Sequence, residues 1–306
     1  MSDARALQLG IILHGINNIF TVRIENVSYM CRLKGKRLSS EHRRYNALAP
    51  GDQVYCVVDE AQRTGMITEA APRRNAFVRW NPKRNAPQTI AANLDLMLVL
   101  ASVDTPPFRP RFLDAALVAA EHAGISAGVV LNKFDLGPDE RVLERMAVYA
   151  SLGYQVFGCS AVNHKGVSEI LDATRDLAVL LVGQSGVGKS TLLNALVPGA
   201  AAKIGDLSAK YNRGRHTTRF AAAFDHPESG LIIDSPGIRE FSLQLFEAAE
   251  LSYAFPEMRE PASRCRFSTC THSHEPGCEV RAAFEAGIIH PDRYESYLRL
   301  LDRSCI

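Results

Sequence analysis

The spacing of apolar positions changes character along the chain. Between residues 7 and 73 it comes in short, mostly alternating runs: Leu9–Leu13, Ile19–Ile24, Ser28–Leu33, Gln53–Val58 and Gly65–Glu69. Turn formers separate them at His14-Gly15, Asn17-Asn18 and Pro50-Gly51-Asp52. Period-two runs broken by such residues predict β-strands. Short strands packed into this length predict a small barrel of OB type, a fold that often binds nucleic acid, with an SH3-like barrel as the other possibility. The stretch from Pro72-Arg73-Arg74-Asn75 to Pro87 reads as a linker.

From Leu94 the pattern becomes a regular alternation of apolar runs and helical segments. Leu94–Ala101 is a continuous apolar strand, and Pro110–Ala123 is a helix stopped by Gly124. Ala127–Leu131, Tyr154–Gly158 and Ala178–Val182 are further strands, with helices over Asp139–Leu152, Gly166–Asp176 and Lys189–Leu196. Such an alternation predicts a parallel sheet covered on both faces. Ligands of such sheets sit at the carboxyl ends of the strands. Beyond Asp234, residues 245–306 read as short helices around a Cys/His cluster, too few to bury much core alone. The expected division is 1–74, 75–243 and 244–306.

Composition narrows the class. The chain has 306 residues, 46% hydrophobic and 22% charged, which are ordinary globular values and argue against global disorder. No apolar run approaches the roughly 18 residues of a membrane span, and the N-terminus lacks a signal-peptide core and cleavage site. A soluble, cytoplasmic protein is expected. The seven cysteines are an odd number, three of them crowded into Cys265–Cys278, which suits a reduced compartment with one metal site. The net charge of +2 hides an asymmetry: Arg32–Arg84 holds twelve Lys or Arg against five Asp or Glu. That concentration points to a polyanion such as RNA. Arg32, Lys34, Lys36, Arg37, Arg43 and Arg44 are the candidate contacts.

The strand ends carry the chemistry. Gly183-Gln184-Ser185-Gly186-Val187-Gly188-Lys189-Ser190 follows a predicted strand and opens a predicted helix, the context of a phosphate loop. Its glycines let successive N–H groups face phosphates, aided by the helix N-terminus, where Thr191 follows. Lys189 would reach the β and γ phosphates and Ser190 would ligate Mg²⁺. Asn132-Lys133-Phe134-Asp135 ends another strand. A carboxylate at Asp135 can accept from both N1–H and the 2-amino group of guanine, which adenine cannot offer. Asn132 would tie that loop to the phosphate side, and the Lys133 stem would cover the base. One βα unit later, Cys159-Ser160-Ala161 resembles the element whose backbone N–H meets guanine O6. Asp234-Ser235-Pro236-Gly237 ends a further apolar strand; Asp234 would hold Mg²⁺ through water and the Gly237 N–H would sense the γ phosphate.

The order of these motifs is itself informative. The base-reading motif precedes the phosphate loop, whereas an ordinary GTPase has them reversed, so the domain is expected to be circularly permuted. Between phosphate loop and Asp234 lies Asn212-Arg213-Gly214-Arg215-His216-Thr217-Thr218-Arg219, polar and basic as a switch loop should be. Thr218 is expected to complete the Mg²⁺ shell, with Thr217 in reserve. Ile238 stands where many GTPases place a water-orienting Gln, which leaves His216 as the candidate to position the nucleophile.

Cys265-x4-Cys270-x-His272-x5-Cys278 offers three thiolates and an imidazole, a donor set for a closed, structural Zn²⁺ site. His274 is a competing nitrogen ligand. Metal binding would supply stability that this small unit cannot obtain from burial.

Together, the motif order, Gly214-Arg215-His216-Thr217-Thr218, Asp234-Ser235-Pro236-Gly237-Ile238-Arg239-Glu240-Phe241 and the Cys/His cluster resemble the RsgA (YjeQ) family of bacterial small-ribosomal-subunit biogenesis GTPases. The resemblance covers nearly the whole chain. It implies an N-terminal OB barrel, a permuted GTPase domain and a mainly helical zinc domain. It also implies slow GTP hydrolysis stimulated by the small subunit, late in that subunit's maturation. The implied partners are the subunit, its rRNA and GTP/GDP, with no membrane and a monomeric protein. In the family the residue matching His216 is the proposed catalytic or water-positioning group. The alternative is a nucleotide-gated rRNA-binding scaffold whose hydrolysis is incidental.

Overall fold

A computed structural model describes residues 6–16, 18–33, 48–81, 85–203, 221–236 and 248–304. The switch loop from Gly214 to Arg219, with His216, Thr217 and Thr218, lies outside the described residues, as do Gly237, Ile238, Lys34, Lys36, Arg37, Arg43 and Arg44.

The alternating N-terminal runs form strands β1 (Gln8–Ile16), β2 (Ile19–Ile24), β3 (Val27–Leu33), β4 (Gln53–Asp59) and β5 (Thr64–Ala70). They close into a barrel in the order β1-β2-β3-β5-β4, with β3 and β5 parallel and the other pairs antiparallel. This is the OB arrangement, and it removes the SH3-like alternative. Alternation places Ile12, Val22, Cys31, Val54, Cys56 and Ile67 fully inside. β1 runs through His14-Gly15, expected as a turn, because an irregularity in register between Ile12 and His14 bends the strand instead of ending it.

The segment expected to be a linker is largely folded. β6 (Ala76–Asn81) and β7 (Ala86–Ala92) pair as an antiparallel ribbon. Its prolines and arginines masked a strand pattern that is decided by burial: Phe77, Ile90 and Ala91 enter the central core. The barrel docks on this ribbon. Gly51 adopts φ +88°, and a Cβ there would lie 2.1 Å from the Ala92 carbonyl oxygen. The Ala92 N–H donates to Pro50 O at 2.9 Å, and Arg73 grips the buried Asp52 carboxylate with two bonds of 2.6 Å.

The central sheet contains β8 (Leu96–Ser102), β9 (Ser126–Asn132), β10 (Gln155–Gly158), β11 (Ala178–Gly183), β12 (Ala222–Asp225) and β13 (Leu231–Asp234). Their order is β10-β9-β8-β11-β13-β12. All neighbours are parallel except β12, which is antiparallel at the edge and corrects the expectation of a wholly parallel sheet. Its Ala222-Ala223 run gives little strand signal, and pairing with β13 makes it a strand. Helices α1 (Pro110–His122) and α2 (Glu140–Ser151) cover one face, and α3 (Val167–Thr174) and α4 (Lys189–Leu196) the other. Asp139 caps α2 by accepting from the Val142 N–H at 2.8 Å.

The C-terminal unit comprises α5 (Ala248–Leu251), α6 (Pro256–Ser263), α7 (Glu279–Glu285) and α8 (Pro291–Ser304). Its core of Leu251, Phe255, Met258, Val280, Ile289 and Tyr297 includes Val118 of α1. A charged network joins the same elements. Asp114 on α1 accepts from Arg145 (2.7 Å) and Tyr149 (2.8 Å) of α2, and from Arg293 (3.0 Å) and Ser296 (2.5 Å) of α8. Arg293 also forks onto Glu257 of α6 at 2.6 and 3.0 Å and lies over the Phe255 ring. Asp114 and Arg293 are wholly buried.

Removing one member of such a network strands the others without water. Asp114→Ala should therefore cost about 3–5 kcal/mol, read as a lower urea midpoint. A loss below about 1 kcal/mol, the level of a surface pair, would show that the network does not hold the units together.

Candidate nucleotide site and metal centre

The carboxyl ends of β8, β9, β10, β11 and β13 meet at one edge of the sheet, and the sequence motifs occupy them. Gly183 ends β11; Gln184 through Val187 form the loop; Gly188 precedes α4, whose first residues are Lys189, Ser190 and Thr191. Gly186 and Gly188 have φ of +88° and +90°, conformations that glycine adopts without a Cβ penalty. Strand, glycine loop and helix N-terminus together have the geometry of a phosphate cradle. Ser190 and Thr191 are exposed in the first turn of the helix.

Asn132, the last residue of β9, is 2% exposed and joins the motifs. Its Nδ2 donates to the Val187 carbonyl at 2.9 Å, and its Oδ1 accepts from the Ala161 N–H at 3.0 Å. The Cys159 thiol approaches the same oxygen at 3.5 Å, and burial pushes that thiol up to about 12. Gly188 must lack a side chain here, since a Cβ would lie 2.2 Å from Asn132 Nδ2.

Lys133 takes a left-handed backbone (φ 61°) that turns the chain into a single 3-10 turn, Phe134–Leu136. Asp135 lies on that turn, exposed, with no hydrogen bond or ion pair to a described residue. The Phe134 N–H donates to Cys159 O at 2.9 Å, binding the Asn132–Asp135 loop to the Cys159-Ser160-Ala161 segment. Ser160 is buried, its N–H donating to Lys165 O at 2.9 Å.

Lys189 and Asp234 form an ion pair at the other side of the loop. Asp234 ends β13 and is 3% exposed. Burial pushes its carboxyl upward, opposed by the charge and hydrogen bond of Lys189. Ser235 anchors this strand end, its hydroxyl donating to Leu181 O at 2.7 Å.

The segment between β8 and α1 also reaches the site, which no motif announced. The Lys133 ammonium donates to the Thr105 carbonyl. Pro106 lies against Gly186, where a Cβ would come within 3.3 Å of Pro106 Cδ. The usable signal was positional: Pro106-Pro107 is turn chemistry at the carboxyl end of a parallel strand.

The Cys/His cluster forms in the connection between α6 and α7. Cys265, Cys270, His272 and Cys278 bring their ligand atoms within 4.8 Å of one another. His272 Nδ1 lies 3.5 Å from both Cys265 Sγ and Cys278 Sγ, and these sulfurs are 4.0 Å apart. Tetrahedral Zn²⁺ with bonds of about 2.0–2.3 Å requires ligand separations of this size, so the residues can hold that ion. His274 is exposed and outside the cluster, whereas His272 is buried within it. Tyr294 and Tyr297 on α8 donate to the carbonyls of His272 and Thr271, each at 2.7 Å. Burial alone would raise the Glu275 carboxyl, but hydrogen bonds from Thr271, its own backbone N–H and that of His274 hold it well below the carboxylate range.

A doubly covered sheet with a phosphate cradle after its base-reading strand defines a circularly permuted P-loop GTPase. The profile of the RsgA GTPase family matches residues 70–244, and the chain belongs to that family. It is 35% identical over 292 residues to the small ribosomal subunit biogenesis GTPase RsgA of Borreliella burgdorferi (strain ZS7), covering 95% of this chain and 94% of the relative. It is 38% identical over 295 residues to the protein of that name from Gemmatimonas aurantiaca, covering 96% of each. Among solved structures it resembles YjeQ from Thermotoga maritima, with TM-score 0.77, 29% identity and 98% and 99% of the two chains covered. It also resembles YloQ, a circularly permuted GTPase, with TM-score 0.74, 25% identity and 99% and 97% covered.

Proposed function

We propose that this chain hydrolyses GTP to GDP and phosphate in late maturation of the small ribosomal subunit, and that the subunit stimulates the reaction. The observation that carries the reading is the side chain of Asn132, which bonds the phosphate loop through Val187 and the base-side segment through Ala161. One guanine nucleotide would span both. The relatives' shared name, small ribosomal subunit biogenesis GTPase, supports the setting.

In this reading Asp135 accepts from the guanine edge, Lys133 covers the base, and the Ser160-Ala161 backbone meets O6. Gly183 through Gly188 cradle the phosphates. Lys189, now paired with Asp234, transfers its charge to the β and γ phosphates. Ser190, Asp234 and Thr218 would hold Mg²⁺, which neutralises charge developing on the phosphates. Gly237 would sense the γ phosphate and His216 would position the attacking water. The barrel, with Arg32 and the basic residues that follow it, would contact rRNA, and the protein would act as a cytoplasmic monomer with the division 1–74, 75–243 and 244–306.

GTP turnover should rise at least about tenfold, roughly 1.4 kcal/mol of barrier, when purified small subunits are added. An unchanged rate would remove the ribosomal part of the reading. Asp135→Asn exchanges an acceptor for a donor and should move preference from GTP towards xanthosine triphosphate by about tenfold or more. Unaltered GTP affinity would mean that the base is read elsewhere. The Cys/His cluster is proposed to hold one structural Zn²⁺. Mass spectrometry of purified protein should then find one zinc per chain, and Cys270→Ser should lose it and lower the melting temperature while nucleotide still binds. Metal-free, fully stable wild-type protein would rule the site out.

A further inference from the structure

Ser102 is the last residue of β8 and pairs in register with Asn132. The residue is 1% exposed, and its hydroxyl, like those of Tyr154 and Ser160, has no hydrogen-bond partner among the described residues. Period two fixes the face on which it lies. Leu96, Leu98 and Leu100 share a core cluster with Val130 and Val187, whereas Met97, Val99 and Ala101 belong to the opposite face. Ser102 therefore continues the face that carries Asn132 and Val187. The adjacent strand β11 pairs only as far as Gly183 with Leu100, then turns into the phosphate loop. Ser102 thus lies beyond that last pair, beneath the joint between loop and base-reading strand.

A buried hydroxyl without a partner is a standing penalty, and native proteins seldom keep one in an apolar layer. Alanine would fill the same strand position without that penalty. A hydroxyl at this position suits a role in the working complex. Asn132 offers a complementary group: one amide hydrogen goes to Val187 O, and Nδ2 carries a second.

We propose that Ser102 is a positioning residue for the guanine nucleotide, holding the Asn132–Val187 joint in register through one internal water shared with the Asn132 amide. The residue touches neither base nor phosphate. It acts by fixing the distance between the elements that do. This rests on the reading that a guanine nucleotide occupies the site.

The test is binding of fluorescent GDP and GTP to the full-length wild type, Ser102→Ala and Ser102→Cys, with melting temperatures measured without nucleotide. Ser102→Ala should weaken both nucleotides by about fivefold to tenfold, the effect of one lost hydrogen bond, mainly through faster release. Ser102→Cys, close in volume but a weak hydrogen bonder, should also weaken binding by at least threefold. If the wild type binds tightly and both variants bind within threefold of it, Ser102 has no positioning role, whatever their stability. If Ser102→Ala does not fold, Ser102→Cys decides by the same threshold. Failure of the wild type to bind guanine nucleotides would instead overturn the reading of the site.

Discussion

One amide side chain sets the geometry on which the nucleotide site depends. Asn132 spends a donor on the Val187 carbonyl and an acceptor on the Ala161 N–H, and both bonds are buried. Each is worth about 1 kcal/mol net, while an unpaired group there would cost more. The larger consequence is geometric. Loops from β9, β10 and β11 are held at fixed separations before any ligand arrives, which reduces the ordering cost of binding. Gly188 is part of the same constraint, because only a residue without Cβ lets the phosphate loop come this close to Asn132.

Around this site the remaining units are joined by apolar contacts, Val118 to the C-terminal core and Ile11 and Leu13 to the central core, together with ion pairs. The barrel grips the ribbon through Arg73 and the buried Asp52, and the solvent-exposed Arg23–Asp225 pair lies at the sheet edge. The C-terminal helices are joined through Asp114, which takes hydrogen bonds from both α2 and α8. Carboxylates and guanidiniums pair with fixed directions, so such contacts add geometric specificity to the apolar packing between units. In this chain α2 follows the base-reading loop and α1 follows the loop that meets Lys133 and Gly186. The C-terminal unit is thereby attached to the helices that support the nucleotide site.

The permuted order has a physical rationale in the sheet. Each motif stays at a strand's carboxyl end, because the site needs neighbouring strands in space and is indifferent to their order in the chain. The sheet order β10-β9-β8-β11-β13-β12 brings base-side and phosphate-side motifs together although sequence separates them. Outside the sheet, a Cys₃His cluster lies in the connection between α6 and α7, where two tyrosines of α8 donate to its backbone carbonyls.

Much of this was legible in the residues themselves. Alternation between residues 7 and 73 specified the barrel strands, and apolar runs such as Leu94–Ala101 specified buried strands, since period and burial are local properties. Glycine spacing in Gly183–Ser190, the Asn132–Asp135 motif and the Cys/His spacing revealed candidate chemistry for the same reason. What the sequence left open depends on partners distant in the chain. The ribbon at Ala76–Ala92 is a strand pair because Phe77 finds the central core, and β12 is a strand because β13 offers it an edge. The clustering of His272 with the cysteines and not His274, the reach of Thr105 to Lys133 and the place of Ser102 beside Asn132 likewise depend on tertiary contact. Local pattern determines which elements and ligands are available; packing and unpaired hydrogen-bonding groups decide which of them meet.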